Sequence, residues 1–156
     1  MSNPSNATLG SDNAHTYTIT DNDNTPVVDF NATSSNGAES VSSKALTVDL
    51  SAASGQNVTV DYAVTGTATG TGTDFTLADG TITLSAGSKS GTIKITDIVD
   101  DTLDEDNETI VITLLNPSNT TLGTNNIHTY TINDNDNVPT IDLSLIHISE
   151  PTRPSI

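Results

Sequence analysis

The chain has 156 residues, a net charge of −16, 33% hydrophobic content, no Trp and no Cys. Four Lys and Arg against 20 Asp and Glu argue against nucleic acid or an anionic membrane as partner, since both need clustered cations. No apolar run approaches the roughly 18 residues of a membrane span, Met1-Ser-Asn-Pro-Ser-Asn does not read as a signal peptide, and no disulfide is available.

Residues Asn3 to Phe30 align without gaps on Asn116 to Leu143, and 19 of the 28 pairs are identical. The offset of 113 residues is the length of an ordinary domain, so the chain reads as a window on a tandem array. On this register residues 1–25 are the end of one repeat, 26–137 a complete unit and 138–143 the start of the next. His15-Thr-Tyr-Thr-Ile19 duplicates His128-Thr-Tyr-Thr-Ile132, so the first copy can compete for the slot of the last strand. The register fails at Ser144, and residues 144–156 resemble translated sequencing-adapter read-through, the alternative being a genuine divergent C-terminus.

Inside the unit, apolar residues alternate with polar ones at the period of a half-buried strand. Val27 to Phe30 open the series. Leu46-Val48-Leu50, Val58-Val60-Tyr62-Val64, Ile82-Leu84, Ile93-Ile95, Ile110-Ile112-Leu114 and Tyr130-Ile132 continue it. Gly66 to Gly72 reads as a loop, and turns flank the Ile82 strand. Ile98 and Val99 break the alternation, which suggests a β-bulge just before Asp100. Seven short strands without helical periodicity predict an all-β, seven-stranded, immunoglobulin-like antiparallel β-sandwich of Greek-key type.

The stretch Asp100-Asp-Thr-Leu-Asp-Glu-Asp-Asn-Glu108 holds six carboxylates in nine residues, between two strands. Each pair of charges near 4 Å costs about 1 kcal/mol in water and more where water is excluded. With so few cations in the chain, a hard divalent ion is the economical neutraliser. Calcium takes six to eight oxygen ligands, typically from several loops. Further acids stand at strand ends: Glu39, Asp74, and the Asp134-Asn-Asp136 run.

Gly72-Thr-Asp-Phe75, Asp100-Asp101 with Glu105 and Glu108, the Thr109-Ile-Val-Ile-Thr-Leu114 strand and Ile132-Asn-Asp-Asn-Asp136 together resemble the Calx-beta domain of sodium–calcium exchangers, an integrin subunit and bacterial surface proteins. The resemblance spans the 113-residue unit. It implies a sandwich that binds calcium at one end, with Glu39, Asp74, Asp100, Asp101, Glu105, Glu108, Asp134 and Asp136 as side-chain ligands and the Leu103 carbonyl as a further donor. Thr102 and Asn135 stand where the exchanger pattern has acids, so one to three Ca2+ ions are expected.

Asp104 and Asp106 read as solvated loop charges, Asp97 as a cap of the bulge or a ligand, and Asp49, Asp61 and Asp79 as outward residues. His15 and His128 read as exposed strand positions. The Asp134-Asn-Asp-Asn-Val-Pro139 run also resembles the cadherin linker, which marks the repeat junction as a candidate second ion site. Asp100 to Glu108 lacks the glycine and terminal glutamate of an EF-hand loop. Sequons at Asn6, Asn31, Asn57, Asn107 and Asn119 imply glycans only in a eukaryotic source. No nucleophile–base pairing supports an enzyme.

The expected function is a calcium-binding structural or adhesion module of a large extracellular or cell-surface tandem-repeat protein. The expected partners are calcium, neighbouring repeats, and other cell-surface proteins or glycans, without membrane insertion by this segment. The alternatives are a regulatory calcium sensor of a membrane transporter and an accessory module of a secreted enzyme.

Overall fold

The structure is a computed structural model that describes residues 5–143, and the divergent tail 144–156 lies outside the described residues. Nine strands follow in order: β1 (Val27–Phe30), β2 (Ser34–Ala38), β3 (Ser43–Leu50), β4 (Val58–Gly66), β5 (Gly80–Leu84), β6 (Ser90–Thr96), β7 (Glu108–Ser118), β8 (Thr121–Leu122) and β9 (Ile127–Asn133). They form a four-stranded sheet, β6-β3-β1-β8, and a five-stranded sheet, β2-β9-β7-β4-β5. No helix occurs among the described residues.

The alternation seen in the sequence decides which face is buried. Val28, Phe30, Leu46, Val48, Ile93 and Ile95 point inward from one sheet. Val58, Val60, Ile110, Ile112, Leu114 and Tyr130 point inward from the other, and all twelve are at most 3% exposed. Ten or so fully buried aliphatic side chains at about 1.5–3 kcal/mol each give the sandwich its principal driving force.

Two strands go beyond the expected seven, and both depart from an all-antiparallel plan. β2 pairs parallel with β9 and β8 pairs parallel with β1. The cause is a change of sheet: the chain leaves the four-stranded sheet after Phe30, and Ser34 enters the five-stranded one beside Thr129. Ser34-Ser-Asn-Gly-Ala38 offers no apolar alternation and residues poor in strand propensity, so its strand state comes from its partner. Gly37 is required there, because a Cβ would collide with the Tyr130 hydroxyl.

The bulge expected at Ile98–Val99 is absent from the β3–β6 ladder, which keeps register from Ser43↔Thr96 to Asp49↔Ser90. The parity break has another cause. Asp97 takes a left-handed conformation (φ 51°), which turns Ile98 into the core and leaves Val99 41% exposed. The register shift falls instead between Thr59 and Asp61, in the β4–β7 pair.

His128 is the clearest correction, being 3% exposed. Its Nδ1 lies 2.6 Å from the Ala32 carbonyl and its Nε2 2.8 Å from Ser35 Oγ. A carbonyl can only accept, so Nδ1 carries a proton and donates to Ala32, and in the neutral ring Nε2 accepts from the serine hydroxyl. The ring also packs against Phe30, with centroids 5.5 Å apart. His128 thereby fastens the start of β2 to β9. Its repeat-equivalent His15 is exposed, in a segment, residues 5–25, that forms no strand and leaves Tyr17 81% exposed. Replacing His128 by Ala strands two polar partners and opens a cavity, so urea unfolding should show a loss of about 2 kcal/mol. His15→Ala should leave the urea midpoint unchanged.

Candidate metal centre

Parallel pairing of β2 with β9 delivers the ends of both strands to one pole of the sandwich. Ala38 pairs with Asn133, and the Glu39 amide donates to the Asn133 carbonyl at 3.2 Å. Glu39 therefore arrives beside Asp134 and Asp136, and one carboxylate oxygen from each lies within 4.8 Å of the others. Glu39 is buried, at 9% exposure, while Asp134 and Asp136 are half-buried.

A cleft of about 160 Å³ adjoins this group, lined by Glu39, Thr73, Asp74, Val99, Asp101, Glu105, Glu108 and Ile132. Five carboxylates and no cation line it. The loop after β4 brings Asp74 there. Its Oδ2 accepts from the Thr69 amide at 2.6 Å, and its carbonyl accepts from the Val99 amide at 3.0 Å. The long β6–β7 connection brings Asp101, Glu105 and Glu108. Asp101 Oδ1 accepts from the Leu103 amide at 2.7 Å, and the Glu105 amide donates to Asp134 Oδ2 at 3.1 Å.

Eight of the nine residues expected at the site can be placed against it. Glu39, Asp134 and Asp136 form one group, and Asp74, Asp101, Glu105 and Glu108 join Glu39 in the cleft. Asp100 accepts from Asn135 Nδ2 at 3.2 Å at the rim. For Leu103 the structure shows an exposed side chain and an amide spent on Asp101, and no contact places its carbonyl. Asp104 and Asp106 are exposed, although the charge of Asp104 reaches Asp136. Asp97 is exposed and accepts from the Thr96 hydroxyl at 3.0 Å, as a local cap does. Asp49, Asp61 and Asp79 accept from Asn31, from Thr81 and Asn116, and from the Val64 amide, away from the pole. Two residues that composition did not single out bind the site together: Asn107, whose Oδ1 accepts from the Asp134 amide at 3.0 Å, and Asn135.

The electrostatics are those of crowded anions. Burial, then Asp134 and Asp101, raises the Glu39 carboxyl above its usual range. Burial, then Asp134 and Asp100, raises Asp136. Glu108 is pushed up to about 7, by burial first and then by the charge of Asp74, with which it shares a hydrogen bond. Asp136 Oδ2 is a buried oxygen without a hydrogen-bond partner among the described residues. An orphaned carboxylate oxygen beside two more, in an all-oxygen donor set, fits a hard divalent cation. Ligand oxygens about 2.3–2.6 Å from a shared calcium ion lie within about 5 Å of one another, as these do.

The sequence matches the Calx-beta domain family over residues 21–136. The chain belongs to that family. Among solved structures, the apo-form Calx CBD1 domain is 26% identical with a TM-score of 0.65, the match covering 72% of this chain and 100% of that one. The calcium binding domain CBD12 of CALX1.1 is 27% identical with a TM-score of 0.63, over 70% of this chain and 46% of that one. The Calx CBD2 domain, at 15% identity and a TM-score of 0.62, shares the fold. Comparison with curated proteins gives no match. The nine strands seen here thus form a Calx-beta sandwich.

Without metal, Glu108 sets a pH dependence of this Calx-beta domain. Between pH 4.5 and about 7 the folded chain binds more protons at Glu108 than the unfolded chain does. Stability in chelator should therefore fall as pH rises through that window. Glu108→Gln should flatten the fall. Urea midpoints measured from pH 4.5 to 7.5 check both, and a parental midpoint that climbs across the window would contradict them.

Proposed function

We propose that this Calx-beta domain is a calcium-binding regulatory module, whose acidic pole converts calcium concentration into rigidity of the loops around it. The observation that supports this most directly is the convergence of Glu39, Asp134 and Asp136, with the orphaned Asp136 oxygen, beside a cleft of further carboxylates. The similarity to CBD1 and to the calcium binding domain CBD12 favours a sensing role over a purely mechanical one. The role is one of binding, and no catalysis is assigned to it.

Ligand binding to the folded state alone stabilises by RT ln(1 + [Ca]/Kd). With a Kd on the order of 10⁻⁴ to 10⁻³ M, about 10 mM calcium contributes about 1.5–3 kcal/mol. The module is then firm where calcium is plentiful and loose where it is scarce. Two ion positions suit the geometry, one at Glu39, Asp134 and Asp136 and one in the adjoining cleft, with Glu39 facing both.

A second reading rests on the repeat. The 19 identities between residues 3–30 and 116–143 suit a spacer or adhesion unit in an extracellular tandem array, stiffened by the same ions. Transmembrane segments encoded in the same gene would support the sensor, and further Calx-beta units the spacer. For either reading, thermal midpoints should rise by several degrees between chelator and about 10 mM calcium. Asp101→Asn with Glu105→Gln should shrink that rise while leaving the metal-free far-UV spectrum unchanged. A midpoint indifferent to calcium would sink both readings.

A further inference from the structure

Two asparagines tie the acidic β6–β7 connection to the exit of β9, and they do so in opposite senses. Asn107 offers its carbonyl oxygen to the Asp134 amide, a contact that a carboxylate could make equally well. Asn135 offers an N–H to Asp100 Oδ1 at 3.2 Å, which a carboxylate cannot do. Among the described residues it is the one side-chain amide that donates to an acid of the pole, while backbone amides donate to Asp74, Asp101 and Asp134. Asn135 also stands between Asp134 and Asp136, where an acid would bring a full negative charge to Asp100.

We propose that Asn135 acts as a resident substitute for a cation, its amide holding the Asp100 loop to the β9 exit without metal and so lowering both the repulsion and the calcium demand of the pole. The metal-free half of this inference rests on the hydrogen bond alone. The calcium half rests on the calcium-binding reading above. Asn135 is a positioning residue here, acting through Asp100.

The test compares the full chain with Asn135→Asp and Asn135→Ala, by thermal melts in chelator and by calorimetric calcium titration. Aspartate should lower the midpoint in chelator by about 3 °C, and by more than alanine does, because repulsion adds to the lost bond. It should also tighten calcium binding about tenfold, since the number of ligand charges tunes such sites. Alanine should lower the midpoint slightly and leave calcium affinity no tighter than in the parent. An Asn135→Asp variant that folds only when calcium is present would be the same result in stronger form. Asn135→Asp as stable as the parent in chelator, or alanine tightening calcium as much as aspartate, would overturn the inference. If the parent itself takes up no calcium, the calcium reading fails, and the chelator melts still decide whether Asn135 holds the loop.

Discussion

Repulsion among carboxylates at one pole is the constraint around which this domain is arranged. Glu39, Asp74, Asp101, Glu105 and Glu108 line one small cleft, and Asp134 and Asp136 adjoin it. Nothing local favours that crowding. It is imposed by the hydrophobic sandwich below, whose register fixes where each strand ends. The core thus stabilises a geometry that its own loops resist, and burial first, then the neighbouring carboxylates, raises the proton affinities of Glu39, Glu108 and Asp136. Perturbed carboxylates gathered in a cleft are the kind of arrangement that functional sites use.

The chain uses three means of easing the conflict before any ion arrives. Backbone amides of Glu105 and Asp136 donate to the two oxygens of Asp134. Glu108, pushed up to about 7 by burial and then by the neighbouring Asp74, takes up a proton more readily than an ordinary carboxyl and so sheds charge at the cleft. Asn107 and Asn135 replace charge with hydrogen bonds between loops. None of these reaches Asp136 Oδ2, which stays unpaired. The group left over after internal compensation is therefore at the point where Glu39, Asp134 and Asp136 meet.

Much of this was legible in the sequence, for a definite reason. Strands such as β3, β6 and β7 bury every second side chain, so Leu46-Val48-Leu50 or Ile110-Ile112-Leu114 announces both the strand and its inward face. The acids were legible because carboxylates at strand ends on alternate loops must gather at a pole. What escaped were features decided by partners distant in sequence. β2 has no pattern of its own and exists because β9 lies beside it. His128 reads as an exposed, polar strand residue until Ala32 and Ser35, 96 and 93 positions earlier, are brought to its ring. The parity break at Ile98 was visible, but a bulge and a left-handed residue leave the same trace in a sequence, and Asp97 is the latter.

β2 joins the fold to the site. It is the strand with the least intrinsic reason to form, and it carries Glu39, the acid that faces both the three-carboxylate group and the cleft. Its base is fixed by His128, its middle by the close approach of Gly37 to Tyr130, and its end by the Glu39 amide on Asn133. Its other edge has no strand partner among the described residues, so its hold on the sheet comes from the ladder with β9 and from these contacts. The charges of Glu39, Asp134 and Asp136 oppose one another where β2 meets β9, and in the calcium-binding reading a shared cation would offset that repulsion. In the calcium-binding reading, ion occupancy therefore acts first on an edge strand of modest intrinsic stability and leaves the apolar core intact. Local ordering of that kind is what a low-stability element permits and a core strand does not.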